Sequence, residues 1–339
     1  MKIYALAFLF FAQQPFACHE TPDLQPSTLV AESPAGQDSA RMNQDSLQAK
    51  EATMVFRSVD GGLTWQDISA GLSDQVREVS CFGDDSGLYV RIGNELFHTE
   101  PHASAPYWTH EMLPDPYGLI APGNSGIVAF NSSGQFSQRT IGIPVWSSVY
   151  SNFPEKSVHT VFETDGGIVL IGTDNGIYKS SDKGNTWKQV NSGGWVRKVV
   201  EANGVLLATS QGGILRSTDK GEHWDYVVRE GGVGIDVECI KGGFAAINYN
   251  TESKTRRIRA SYDGGLTWKA IDAGLPPTLS ISSIVEVNGY FFCGHPKGIY
   301  QSTDKGKTWK LIVPSVANKV FNLFVSGGVL YAVPMAGGC

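Results

Sequence analysis

The sequence predicts an all-β chain: a seven-bladed β-propeller of four-stranded antiparallel blades, its ring closed by N- and C-terminal strands that share one blade. Three observations predict it. The turn pattern S-x-D-x-G-x-[TH]-W occurs five times. Seven of the eight tryptophans fall 37 to 44 residues apart, the length of one propeller blade. The composition, with 39 glycines in 339 residues, 11% aromatic and only 18% charged residues, suits many short strands joined by turns. It argues against a coiled coil, a charged helical bundle or a disordered chain.

The five full copies of the turn carry Asp60 and Trp65, Asp182 and Trp187, Asp219 and Trp224, Asp263 and Trp268, and Asp304 and Trp309. Trp108 and Trp146 continue the series behind degenerate copies at 97–99 and 136–138, which have lost the Asp and the Gly. Only Trp195 stands outside it. Each unit parses alike. In the best-defined one, 196–201 is an inner strand, 205–209 a second, 214–217 a third, and 224–228 the outer strand. These runs are rich in Val, Ile, Leu and aromatics and bounded by Gly, Asn, Asp and Ser, as strands are.

The ends complete the ring. Residues 55–69 supply only a third and a fourth strand, and 320–324 with 329–333 only a first and a second. Together they make one blade, and closure leaves no inner edge to pair with another chain.

Within the turn, the Asp carboxylate accepts backbone N–H groups that the ladder gives up. The second Gly permits a backbone angle closed to other residues. The Thr favours the following strand, and the Trp packs a large apolar face into the blade. These are structural tasks. The five copies resemble the Asp-box (BNR) repeat of the sialidase-like superfamily, which also includes sortilin-type receptor domains and photosystem II assembly factor-like propellers. The resemblance spans nearly all of 54–339. It implies the fold strongly and function weakly, because one fold hosts many functions.

A sialidase-type site implies three arginines converging on a substrate carboxylate, a Tyr nucleophile paired with a Glu, and an Asp acid/base. The family's Arg-Ile-Pro motif is missing; Arg91, Ile92 and Gly93 are the nearest string and fall in a second strand. The spacing between blades leaves little room for the insertions such enzymes carry. Another glycosidase would need two facing carboxylates, for which Asp174, Glu230 and Asp236 are candidates. No G-x-S-x-G, H-E-x-x-H or P-loop occurs. No catalytic residue is assigned, no cofactor is implied and no metal site is expected. His98, His102 and His110 are expected to be solvated loop residues.

Ligands of propellers meet the mouth of the central channel, so polar residues near the starts of the inner strands are the candidate binding set: Arg77, Glu78, His159, Arg197, Lys198, Asp236 and Asn322, with Trp195 beside them. An extra Trp next to Arg197 suits stacking or anchoring a partner. Tyr249, Arg256 and Arg257 are placed at the longest second-to-third-strand loop, and His295 with Lys297 in the matching loop of the last full blade.

The first segment reads as an export signal. Lys2 precedes an apolar run of about ten residues, followed by Ala17 and Cys18. The Ala-Cys step resembles a bacterial lipobox, with Cys18 the lipidation candidate, although Pro15 stands where Leu is usual. The domain reading is an export signal at 1–17, a flexible tether at 18–53, too poor in large apolar residues to fold, and the propeller at 54–339. Cys81, Cys239, Cys293 and Cys339 show no framework spacing and are expected as buried or free thiols.

Net charge is −6 with no basic stripe, so nucleic acid is not an expected partner. The expected protein is a monomeric, non-catalytic propeller in the cell envelope, in the periplasm or lipid-anchored to the outer membrane, or secreted. It touches a membrane only through its lipid and binds a protein or carbohydrate ligand. The alternatives are an exo-α-sialidase or other glycosidase, and an assembly factor like the photosystem II propellers.

Overall fold

Alternating apolar runs of four to six residues, cut by glycine turns, can bury both faces only by stacking sheet on sheet. The computed structural model realises this as seven four-stranded antiparallel sheets. It describes residues 55–334 except 74–78, 115–117, 141, 142, 144, 165, 230, 231 and 317. The export signal, the tether, Cys18, Arg77, Glu78, Glu230 and Cys339 lie outside the described residues.

Blade 1 takes β1 (Phe56–Ser58) and β2 (Gln66–Asp67) as its outer strands. Blade 2 runs from the channel outward as β3 (Val79–Asp84), β4 (Gly87–Ile92), β5 (Glu95–Thr99) and β6 (Thr109–Met112). Blade 3 is β7 (Leu119–Gly123), β8 (Gly126–Phe130), β9 (Phe136–Thr140) and β10 (Trp146–Val149). Blade 4 is β11 (Val158–Glu163), β12 (Val169–Thr173), β13 (Gly176–Ser180) and β14 (Lys188–Asn191). Blade 5 is β15 (Val196–Ala202), β16 (Val205–Ser210), β17 (Gly213–Ser217) and β18 (Asp225–Val228). Blade 6 is β19 (Gly232–Ile240), β20 (Gly243–Asn250), β21 (Thr255–Ser261) and β22 (Lys269–Ala270). Blade 7 is β23 (Ile284–Val287), β24 (Tyr290–His295), β25 (Gly298–Ser302) and β26 (Lys310–Pro314). β27 (Phe321–Ser326) and β28 (Val329–Pro334) then complete blade 1 in the order β2-β1-β28-β27. Phe56 faces Ala332 and Ser58 faces Leu330 across the junction. The expected ring closure is present.

The core lies between blades. Seven apolar clusters fill the seven seams, and each takes one tryptophan of the series. Trp224, for example, packs on Leu170 and Ile177 of blade 4 together with Leu206 and Leu215 of its own blade 5. Trp309 donates its indole N–H to the Ile271 carbonyl of blade 6 at 2.7 Å, and Trp108 to the Ile68 carbonyl of blade 1 at 2.6 Å. The tryptophans therefore tie each blade to the one before it, rather than packing within a single blade.

The turn itself works as expected, with one addition. Asp182 accepts the Thr186 backbone N–H at 2.8 Å and its hydroxyl at 2.6 Å. The Ser180 hydroxyl donates to Asp182 and accepts the Gly184 N–H, at 2.7 Å each. The same serine bridge recurs at Ser58, Ser217, Ser261 and Ser302, all five serines being buried. Gly184 has φ +85°, and a Cβ there would lie 2.1 Å from the Tyr150 ring of blade 3. The turn is thus pressed onto the preceding blade with no room for a methyl group.

Three placements differ from the sequence reading. His98 lies in β5 and His110 in β6, not in a loop. Tyr249, Arg256 and Arg257 are strand residues of β20 and β21, and His295 ends β24, buried against the Pro276 carbonyl at 3.0 Å. Those strands run further than composition suggests because their backbone pairing continues to Asn250–Thr255. Cys239 is disulfide-bonded to a partner outside the described residues, while Cys81 and Cys293 are free. Burial pushes the Cys81 thiol up to about 12, so it is inert at neutral pH.

Candidate functional site

The inner strands of blades 4, 5 and 6 share one irregularity. Each carries a β-bulge near its start, between Val158 and Thr160, Val196 and Lys198, and Gly234 and Asp236. A bulge inserts one unpaired residue and re-aims its neighbours. The extra residues are His159, Arg197 and Ile235. The residues after them, Thr160, Lys198 and Asp236, occupy equivalent positions.

The bulges bring a continuous polar cluster to the channel mouth. His159 Nε2 lies 2.6 Å from Asp174 Oδ1 in the turn after β12. That hydrogen bond, opposed by a small burial penalty and reinforced by the field of Arg197, holds Asp174 below the usual carboxylate range. The Arg197 guanidinium stacks 4.7 Å from the Trp195 ring centroid, a cation–π contact. The Trp195 carbonyl is fixed by the Gln211 N–H at 3.0 Å. Arg197 is exposed and Trp195 half-buried.

Deeper in the channel, Lys198 Nζ reaches from blade 5 to blade 6. It contacts Asp236 Oδ1 at 2.8 Å and pairs with Glu238 two residues further along β19. Burial drives Glu238 up to about 7, with Lys198 pulling the other way and Asp236 adding repulsion. Burial alone would lower the Lys198 ammonium; the two carboxylates outweigh it and hold it above its usual range.

Of the sequence candidates, His159, Trp195, Arg197, Lys198 and Asp236 therefore gather on blades 4–6. Asn322 sits half-buried on β27 of blade 1, apart from them beyond blade 7. Ser282 and Ser283 staple blade 7 to blade 1 through Phe321 and Leu323. Asp174 was proposed only as a catalytic carboxylate, and Glu238 was missed altogether. Its i, i+2 spacing from Asp236 places the two on one face of β19, a signal visible in sequence but common to every strand.

The alternative of a sialidase-type centre has one structural echo, and it does not fit. Tyr150 donates a short hydrogen bond to Glu163. Tyr150 packs edge-on against Phe136 and Trp187 and lies under Gly184, with no arginine among its described contacts. Burial, then the Glu163 charge, raises its phenol strongly, the reverse of an activated nucleophile. Glu163 also accepts the Asn124 N–H at 2.7 Å, so the pair ties blade 3 to blade 4. No group of three or more His, Cys, Asp or Glu placed for a metal occurs among the described residues.

No known family profile matches the chain, and no curated protein matches it. Among solved structures it is similar to a GH74 xyloglucanase from Xanthomonas campestris, at 13% identity and TM-score 0.56 over 71% of this chain and 48% of that one. It is also similar to YCF48 from Cyanidioschyzon merolae, at 14% identity and TM-score 0.53 over 76% of this chain and 96% of that one. The chain thus spans about half the length of the xyloglucanase. At these identities the likeness establishes the propeller fold and nothing finer.

Proposed function

We propose that this chain is an exported, non-catalytic propeller whose channel mouth on blades 4–6 binds a protein ligand. The observation that carries the reading is Arg197 stacked on Trp195 beside the His159–Asp174 pair. Trp and Arg dominate binding hot spots because they combine large apolar area with directed donors. No hydrogen bond reaches the Arg197 guanidinium among the described residues, so its donors are available to a partner. A glycan is the second reading, disfavoured because Arg197 covers the Trp195 ring face on which a sugar would stack. A hydrolytic role is disfavoured because Asp174, Asp236 and Glu238 are each already tied to a cation or imidazole. Anchoring through Cys18 belongs to the same reading.

The test compares wild type with Trp195→Ala and Arg197→Ala, each as purified protein. An envelope protein enriched on the wild type should bind it directly, and each variant should weaken that affinity at least tenfold. Equal binding by all three proteins sinks the site assignment. Binding confined to a glycan array moves the reading to a sugar ligand, and turnover of a fluorogenic sialoside overturns the non-catalytic reading.

A further inference from the structure

The seam between blades 2 and 3 differs from the seams that the repeat turn closes. In three of those, the third-strand residue before the buried serine grips the next blade's turn. Lys179 pairs with Glu222, Arg216 Nε donates to the Gly264 carbonyl at 2.7 Å, and Gln301 donates to the Gly61 carbonyl at 3.2 Å. The turn's glycine then fills the seam: a Cβ on Gly221 would touch Leu170, and one on Gly306 would meet Ile271 at 2.4 Å.

In blade 2 the gripping position is His98, which turns back on its own blade. It stacks on Tyr89 with ring centroids 4.2 Å apart and contacts the Ser86 carbonyl at 3.1 Å. In blade 3 the position of the buried serine, opposite Trp146, is Arg139. The turn sequence before Trp146 has lost its Asp and Gly, and residues 141, 142 and 144 in it lie outside the described ones. Among the described residues, a cavity of about 310 Å³ is lined by Leu96, Tyr89, His98, Thr109, His110, Glu111 and Arg139.

The cavity is polar and incompletely satisfied. Arg139 Nε lies 2.8 Å from Glu111 Oε1. Both atoms are sealed from solvent, and their alignment makes no hydrogen bond. Among the described residues no hydrogen bond reaches the other groups of Glu111 and Arg139, or either His110 nitrogen. The pair as a whole is half-buried, but these two sealed atoms lack a well-aligned partner, and they border a space large enough for a small ligand.

We propose that this inter-blade cavity binds a single neutral, hydroxylated ring, one sugar unit. The paired charges favour a neutral ligand, because a charged one would have to compete for one member of the Glu111–Arg139 pair and leave the other without its counter-charge. A polyol keeps the pair and adds to it: Glu111 accepts from hydroxyls, and Arg139 donates to them. Thr109 Oγ1 already donates to the His98 carbonyl at 3.3 Å, so it would serve a ligand hydroxyl as an acceptor. Flat aromatic ligands fit less well, since Tyr89 is sandwiched between Phe82 and His98 and offers no free ring face. The His98 and Tyr89 ring edges that line the cavity supply apolar surface for the C–H side of a sugar. The site is separate from the channel mouth.

The experiment is saturation-transfer NMR on the full chain with the methyl glycosides of glucose, galactose, xylose and mannose. Acetate and adenosine serve as the anionic and aromatic competitors. Variants are Glu111→Gln, which keeps shape and removes charge, and His110→Ala, at an exposed residue, with melting curves to confirm folding. The expected result is transfer from wild type to at least one glycoside, with affinity weakened about tenfold in Glu111→Gln and reduced in His110→Ala. Trp195→Ala and Arg197→Ala should leave it unchanged. Glycoside binding that survives both cavity variants, or no glycoside binding by wild type, overturns the proposal. So does binding of acetate or adenosine alone. Loss in the channel-mouth variants instead would move the sugar to the other face.

Discussion

At the seam between blades 4 and 5 the turn at 217–224 lies over Leu170 and Leu206, and Glu222 reaches back to Lys179 and Lys188. At the seam between blades 2 and 3, a single ion pair beside a cavity stands in the corresponding place among the described residues. Both seams keep their tryptophan and their apolar cluster. What differs is the turn, so its contribution is to seal the outer end of the seam, while the apolar cluster holds the blades together.

The largest test of that contrast is steric. Gly184→Ala combines a φ of +85° with a Cβ 2.1 Å from the Tyr150 ring, and should cost about 3 kcal/mol or more in urea unfolding. Gly93→Ala, at φ +60° with nothing within 4 Å, should cost about 1 kcal/mol. Equal losses would mean that the seam contact contributes nothing.

A smaller effect separates the buried serine from its replacement. Ser217→Ala strands the Gly221 N–H, which it accepts at 3.0 Å, and should cost about 1–3 kcal/mol. Thr99 holds the same place in blade 2, but its hydroxyl makes only a 3.4 Å contact with the Glu100 carbonyl. Thr99→Val should cost less than about 1 kcal/mol.

The smallest effect is electrostatic. Thr186, Ser180 and turn amides hold Asp182 down at about 2, and Thr308 with its amide does the same for Asp304. A lowered carboxyl stabilises the fold above its unfolded value near 3.8, and that stabilisation is lost as pH falls toward 2. The amide signals of Thr186 and Thr308 should therefore shift with midpoints near 2, with no matching transition at Gln138 in blade 3. Midpoints near 4 would show that these aspartates do not hold the turn.

The blades were legible because their signals are local. A tryptophan every forty or so residues and a turn with fixed spacing need no knowledge of what lies beside them. The inner-strand polar set was half legible, because the shared bulges put His159 and Arg197 at one equivalent position and Lys198 and Asp236 at the next. Contacts between blades were not. Lys198 meets Glu238 and Arg139 meets Glu111 across intervals of 40 and 28 residues, and nothing in either strand names its partner. His98 and His110 were read as loop residues because the lost turn removes the punctuation that marks where β5 ends. The serine bridge was hidden because serine is common in turns, and its burial is visible only in three dimensions.

Blade 1 imposes an order of events on the growing chain. Its outer strands are made first and its inner strands last, so Arg57 waits for Tyr331 until every other blade has emerged. Blades 2 to 7 are each built from neighbouring hairpins and can form as they are synthesised. Through that whole interval β1 and β2 are a two-stranded ribbon, too small to hold its shape in water. The ring is finished in one late step, and until then the chain remains an open arc whose end blades each lack a neighbour.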